Sequence, residues 1–348
     1  MAGRKVVRMS NLPTFGVWYD FRQSLPFDIP YRQFYREVLD EVVHAEQLGF
    51  THCWTSEHGY QPSQLVALAA IAGRTQKMQL GTNVLLLPLY HPLRVAEDAA
   101  VLDLVSGGRF TLGVGAGYVE FEFEALGVNR KQRPSLMEEG VKIIRQAWDR
   151  GNIGFQGERW QLPELPFSPQ PERHIPILFG ANAPSALRRA VRLGDGFVTG
   201  SSAAGLKAVR EQYAVLQDEM QAQGKTPETF PYTFSTWMHL GDSSEAAWNE
   251  VAEGVAYQLN RYADWGTDRD QPRPKKLTAK DLQRENFPFI GHPEEVAQAM
   301  VDLHKDIPYV HFCYWGRTPG LNTRQVLKNQ ERFQSQVVPP VQKALAQQ

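Results

Sequence analysis

Glu57 and His58 are the adjacent pair in this sequence best suited to proton chemistry. An imidazole near its ordinary pKa gives or takes a proton at neutral pH. Neighbouring residues of a strand point to opposite sides, so the two are not expected to act on one atom. Loop-capping by hydrogen bonds is the alternative role for both. A second group is Gly113, Gly115 and Gly117, two apart, which on an extended chain share one face and leave it without side chains. A flat ring or another backbone segment could lie there, or the strand could simply be thin where a barrel narrows. A third is Gly180-Ala181-Asn182-Ala183-Pro184-Ser185. It follows an apolar run and opens a helical pattern, so backbone N–H groups and the helix dipole there suit a phosphate. An ordinary turn with Asn182 or Ser185 capping the helix reads equally well.

Other chemistries find less support. The nine histidines include no H-x-H and no H-E-x-x-H, so no metal site is expected. A G-x-S-x-G nucleophile elbow is absent. The glycine-rich run is not a dinucleotide fingerprint, because Tyr118-Val119-Glu120-Phe121 follows it without a helical pattern.

The elements that must position these groups alternate regularly. Residues 78–87 are apolar nearly throughout, as a strand buried on both faces should be. His91-Pro92 opens a helix that Ser106-Gly107-Gly108 stops, and Phe110 begins the next apolar run. This βαβ unit must be a parallel, right-handed crossover. Six further strands are expected at residues 15–20, 51–55, 175–179, 197–199, 232–238 and 309–315. Helices are expected at 34–48, from Pro62 onward, and over 136–148, 184–193, 206–220, 244–262 and 323–337. Eight strands alternating with helices predict an α/β fold, a (β/α)8 TIM barrel, in one domain over residues 1–348. An open, doubly wound sheet is the competitor. Residues 151–173 are expected to form a hairpin-like excursion, and the charged, proline-containing stretch 266–288 either a lid or a disordered insertion.

In such a barrel the working groups sit at the carboxyl ends of the strands. These ends hold Trp18 to Asp20, Glu57, His58, Thr82, Asn83, Gly115 to Tyr118, Gly180 to Asn182, Ser201, Trp237 to His239, Tyr314 and Trp315. The set is aromatic with few ionisable groups, which suits a flat or apolar ligand. Trp18, Tyr19, Trp237 and Trp315 are the candidates for a substrate pocket, although aromatic residues there also serve as core filling.

A formal net charge of −1 gives no general reason to bind nucleic acid or a membrane surface. The only cysteines, Cys53 and Cys313, lie far apart in apolar runs, which predicts no disulfide framework and a reducing, cytoplasmic setting. No apolar run reaches membrane-spanning length.

Taken together, these stretches resemble the luciferase-like flavin-dependent monooxygenase and oxidoreductase family. The likeness is carried by Trp54 with Ser56-Glu57-His58, Leu80-Gly81-Thr82-Asn83-Val84, and Pro88 with His91-Pro92-Leu93-Arg94-Val95-Ala96-Glu97. Ser106-Gly107-Gly108-Arg109-Phe110, Gly113 to Tyr118, Phe179-Gly180-Ala181-Asn182 and Leu193-Gly194-Asp195-Gly196 extend it. The resemblance implies a flavin at the carboxyl end of the barrel. By position, Thr82-Asn83 would hold a non-proline cis peptide bulge behind the ring system. Gly115 and Gly117 would leave room beside it, next to Tyr118. Gly180, Ala181 and Asn182 would hold the phosphate, and His58 matches the family's active-site histidine. Two departures stand out: Gly59 stands where the luciferases have a second histidine, which argues against light emission, and Ala116 stands where they have a phosphate-side arginine, so phosphate binding would lean on backbone groups. The implied activity is a monooxygenase using reduced FMN and O2 on a small apolar or aromatic substrate. A separate flavin reductase would supply the reduced flavin, and the chain would be a homodimer. Hydride transfer with a deazaflavin coenzyme, without O2, is the alternative; a flavin-binding protein without turnover is a third reading.

Overall fold

Eight short apolar strands, each buried on both faces, have one way to satisfy every edge: closure into a ring. A computed structural model of the chain describes residues 12–22, 29–58, 63–200 and 205–347. The strands are β1 (Thr14–Tyr19), β2 (His52–Thr55), β3 (Gln79–Thr82), β4 (Phe110–Gly115), β5 (Ile177–Gly180), β6 (Gly196–Gly200), β7 (Tyr232–Thr236) and β8 (Tyr309–Trp315). All pair in parallel in the order β3-β2-β1-β8-β7-β6-β5-β4, and β4 returns to β3 through Leu80 opposite Phe110. With β1 also paired to β8, Gly16 opposite Cys313 and Trp18 opposite Trp315, the ring is complete, which excludes the open sheet. The fold is a closed (β/α)8 barrel.

Register and the period of two fix which side chains face inward. Phe15, Val17 and Tyr19 of β1, Leu112 and Val114 of β4 and Phe312 and Tyr314 of β8 point outward into one core with the helices, meeting Val38, Val42, Val95, Ala99 and Ile144. Fully burying a side chain of this size contributes about 1.5–3 kcal/mol. Trp18, Trp54 and Cys313 point inward. Trp54 lies across the barrel, so close to Gly81 that a Cβ there would stand 2.3 Å from its ring. With Leu178 and Val198 it fills the interior below the carboxyl-end mouth.

The helix Pro92–Ser106 starts on Pro92 and ends at Gly107, whose φ of +71° is the left-handed cap that glycine adopts without cost. Arg109 behind it is buried and donates to the carbonyls of Ala72, Thr75, Met78 and Ser106, tying two helix ends to the start of β3. Strands Asn152–Gln156 and Gln161–Pro166 form an antiparallel hairpin outside the ring. Within 266–288 the described structure is two short 3₁₀ turns, Ala279–Asp281 and Arg284–Asn286. No helix among the described residues is long and apolar enough to cross a membrane.

Several elements differ from expectation. The run 78–87 is not one strand: β3 stops at Thr82, Leu85–Leu86 pairs separately with β4, and a 3₁₀ turn follows over Leu87–Leu89. A short helix, Glu120–Ala125, follows the glycine run directly. The last helix breaks at a π turn, Phe333–Val337, and resumes over Val338–Leu345.

Candidate active site

A cavity of about 540 Å³ opens at the carboxyl ends of the strands. That volume falls within the usual range for a cofactor or drug-sized ligand. The structure brings Trp18, His58, Asn83, Gly115, Gly117, Tyr118, Gly180, Ala181, Asn182 and Trp237 together on its lining. Three expected residues do not line it. Tyr19 alternates with Trp18 and faces outward, where its hydroxyl accepts a bond from Gln330 (3.0 Å) inside the helix layer. Trp315 sits behind the wall, its ring 4.7 Å from Trp18 and 5.9 Å from Trp237. Thr82 is wholly buried and clamps β4: its hydroxyl donates to the Gly113 carbonyl (2.7 Å) and accepts from the Gly113 N–H (2.8 Å). Gly59, Pro62 and Ser201 lie outside the described residues.

Of the occupants open to the glycine face, the structure places another backbone segment there. The face is filled by the segment after β3. A Cβ on Gly113 would stand 1.9 Å from the Thr82 carbonyl oxygen, and one on Gly115 2.4 Å from the Val84 side chain. Gly180 is bounded by Val84 in the same way, at 2.8 Å. Gly117 leaves the extended chain altogether, at φ +69°. The glycines therefore admit the Thr82-Asn83-Val84 bulge, and the bulge forms the back of the cavity. The cis peptide bond falls at Asn83–Val84, one residue beyond the expected position. Asn83 is held by a 2.8 Å bond from its amide to the Ser235 hydroxyl.

Gly113→Ala should accordingly displace backbone rather than a flexible side chain. The expected loss is about 1–3 kcal/mol of stability, as for other overpacking changes. Affinity for the flavin that the resemblance implies should fall by about tenfold or more, since each ~1.4 kcal/mol of distortion in the bound state is a factor of ten. Urea melts and flavin-fluorescence titration measure the two; unchanged values in both would show that the bulge does not shape the cavity.

β2 ends at Thr55, so strand alternation no longer separates Glu57 from His58, and both border the cavity. Their partners differ. Glu57 accepts from the Tyr90 hydroxyl and from Gln64 Nε2 (2.9 Å). Burial pushes its carboxyl above the usual range, against the pull of those two bonds. His58 is enclosed by the rings of Tyr118, Trp265 and Tyr262, at 5.2, 5.4 and 5.6 Å between centroids. Its Nδ1 lies 3.6 Å from Glu122 Oε1 on the short helix after β4.

At the other end, Gly180-Ala181-Asn182 runs into the helix Pro184–Leu193, whose N-cap residue Ala183 makes no side-chain cap bond. Asn182 instead accepts from Gln212 (3.1 Å), so neither expected cap forms. Arg133 supplies a cation to the same cavity. Its pKa is lowered by burial and by neighbouring Arg130. Sequence reasoning missed Arg133, Glu122, Tyr262 and Trp265. Arg133 and Glu122 sit in stretches whose only signal is charge, and the two aromatic residues end a long helix, Ser244–Trp265, with no strand-end position to mark them.

These groups fit a planar cofactor carrying a phosphate: glycine main chain and bulge, the Asn83 amide, a helix start and an arginine, all on the lining of one cavity.

The sequence profile of the luciferase-like monooxygenase family matches residues 14–308. An F420-dependent glucose-6-phosphate dehydrogenase of Kineococcus radiotolerans is 32% identical over 320 residues, covering 87% of this chain and 92% of that protein. The oxygenase component of a flavin-dependent trigonelline monooxygenase of Acinetobacter baylyi is 30% identical over 172 residues, 47% of this chain and 48% of that protein. The crystal structure of monooxygenase RslO1 from Streptomyces bottropensis superposes with a TM-score of 0.80 at 24% identity, covering 94% of this chain and 99% of that one. The profile match and the relative aligned along most of its length agree: the chain belongs to the luciferase-like monooxygenase family and is an enzyme of its flavin and F420 oxidoreductase class.

Proposed function

We propose that this chain is a monooxygenase that uses reduced FMN and O2 on a small apolar or aromatic substrate. The observation that carries the reading is the contrast between two parts of the cavity's lining. One is main chain and small side chains, from Asn83, Gly115 and Gly180; the other is Trp18, Trp237, Tyr118 and Tyr262. A flat ring system lies against the first, and the second gives an apolar substrate its contact area. When bound, reduced FMN supplies the electrons that activate O2. The protein's share is placement, exclusion of water and a proton at His58. The Gly180–Asn182 backbone and Arg133 hold the phosphate. Asn83, fixed by Ser235, faces the ring system.

Residues 266–288 cover the mouth in this reading. Arg130 grips Asp268 through two bonds (2.6 and 2.7 Å), the Arg269 N–H donates to Glu120 (2.9 Å), and Phe287 packs on Trp237. A separate reductase supplies the reduced flavin, in keeping with the relative named as an oxygenase component.

The second reading, hydride transfer with a deazaflavin, is favoured by the relative aligned over 320 residues, which is named as F420-dependent. Fluorescence titration of the purified protein with FMN and with F420 decides between them. FMN is expected to bind about tenfold tighter, a difference of ~1.4 kcal/mol. Tighter binding of F420, with no oxygen uptake under reduced FMN, would replace the first reading by the second.

A further inference from the structure

We propose that Glu122 is a positioning residue that keeps a proton on Nδ1 of His58, so that Nε2 is the atom exchanging protons with whatever occupies the cavity. The inference rests on the reading of this cavity as the reaction site and adds to it the atom, its partner and the direction of transfer.

The geometry is specific. His58 Nδ1 is buried and has no hydrogen-bond partner, while Glu122 Oε1 stands 3.6 Å away, a little beyond bonding distance. Glu122 is itself 3% exposed. A buried imidazole nitrogen facing a buried carboxylate is satisfied by carrying the hydrogen, which the carboxylate accepts. The other nitrogen then presents its lone pair to the cavity that His58 borders. Catalytic contacts of this kind are often loose without ligand and tighten when one binds.

The other groups around the imidazole leave this assignment intact. Glu57, its chain neighbour, is engaged by Tyr90 and Gln64. Tyr118, Tyr262 and Trp265 meet the imidazole through their rings and limit its rotation. Arg22 lies over Trp265, 4.5 Å from that ring, and pairs with Asp20. Among these, Glu122 is the group whose carboxylate, 3.6 Å from Nδ1, selects the tautomer.

The step this permits is balanced within the site. His58 Nε2 takes a proton from a substrate or cofactor O–H or N–H, leaving an imidazolium whose Nδ1–H faces Glu122. The same proton returns from Nε2 when a developing anion needs it. No oxidant enters at this step, because only a proton moves.

The test begins on the protein without cofactor. With histidine rings labelled by ¹⁵N and His58 identified by its loss in His58→Ala, the neutral imidazole is expected to show the Nδ1–H pattern. Glu122→Met, of similar length but without an acceptor, should move the ring toward Nε2–H. Glu122→Gln, whose carbonyl oxygen can still accept from Nδ1–H, should keep the wild-type pattern, and it carries the test if the Met variant does not fold. An Nε2–H pattern in the wild type, or ring shifts unmoved in Glu122→Met, would overturn the proposal. In turnover, Glu122→Met should lower kcat by about 10²-fold with KM within about twofold, the low end of general acid–base contributions. Glu122→Gln should recover part of that loss. Flavin titration separates this proposal from the functional reading. If neither FMN nor F420 binds the wild type, the reading of the cavity fails whatever the ring pattern shows. If either binds and the ring is Nε2–H, the role of Glu122 fails alone.

Discussion

His58→Ala should bind flavin within about threefold of wild type and turn over about 10²–10⁴-fold more slowly, the range for a lost general acid or base. The expectation follows from where the side chain stands. His58 borders the cavity at the end of β2, beside Tyr118 and Tyr262, whereas the residues proposed to hold the phosphate, Gly180 to Asn182 and Arg133, come from other elements. Its imidazole is held by three rings rather than by a network that also supports the cofactor wall. Removing it should therefore lower kcat and kcat/KM together, the mark of a contact made in the transition state. Steady-state kinetics with reduced FMN and oxygen uptake measure the first part, and fluorescence titration the second. A variant with wild-type turnover would remove His58 from the chemistry. One whose flavin affinity fell by the same factor as kcat would make it a wall residue.

The barrel was legible because its strands carry a signal that tertiary packing does not override. Runs such as Phe110 to Val114 and Tyr309 to Trp315 are apolar on both faces, as a strand between helices and a filled interior must be. Boundaries failed where packing bends the chain against its own pattern. Residues 78–87 read as one strand, yet the notch left by Gly113, Gly115 and Gly180 draws the Thr82-Asn83-Val84 segment inward and ends pairing at Thr82. Glu120-Phe121-Glu122-Phe123 alternates like a strand and folds as a helix, burying Glu122 and Phe123 side by side. With no helical pattern to mark that turn of helix, the partner of His58 went unseen. The helix Pro293–Asp306 carries readable start and stop marks, with His292 as N-cap, Pro293 at its first position and His304-Lys305 in its last turn. Apolar periodicity alone leaves it unassigned.

Site residues divide in the same way. Trp18 and Tyr19 are neighbours on one strand, and only the phase of β1 in the ring sends the first to the cavity and the second to the helices. Composition cannot supply that phase. His58, Asn83 and Gly180 were recoverable from position because each lies at a strand's carboxyl end, where a barrel gathers its loops. Arg133 reaches the cavity and Trp265 the ring of His58 from helices, and no strand-end rule finds them.

Arg317→Met should cost about 3–5 kcal/mol of stability, because it strands a buried carboxylate instead of removing a pair. Arg317 follows β8 and is 9% exposed at its side chain. It donates to Glu41 from Nε (3.0 Å), to Glu37 from Nη1 (2.9 Å) and to the Thr323 hydroxyl (2.6 Å). One guanidinium thus joins the end of the last barrel strand to the helices Tyr31–Gln47 and Thr323–Arg332. Glu41 is fully buried and loses its cation in the variant. Burial already pushes the Glu41 carboxyl up, to about 7, against the opposing pull of Arg317 and the hydroxyls of Tyr19 and Thr323. Its unfolded value is about 4.3. A carboxyl raised in the folded state contributes stability that is complete below the unfolded pKa and is lost as pH rises through the folded one. At pH 5 Glu41 is largely neutral in the wild-type fold, and losing Arg317 costs less; at pH 8 it is charged and the loss is greatest. Urea melts of both proteins at the two pH values should show the difference in midpoint widening from pH 5 to pH 8 at a constant slope. An equal loss at both would mean that Glu41 is not the group left stranded. The consequence reaches the cavity through Trp315, two residues before Arg317, which backs Trp18 and Trp237. A loosened β8 end should widen the spread of substrates accepted before it weakens flavin binding, since the aromatic wall depends on that strand and the phosphate cradle does not.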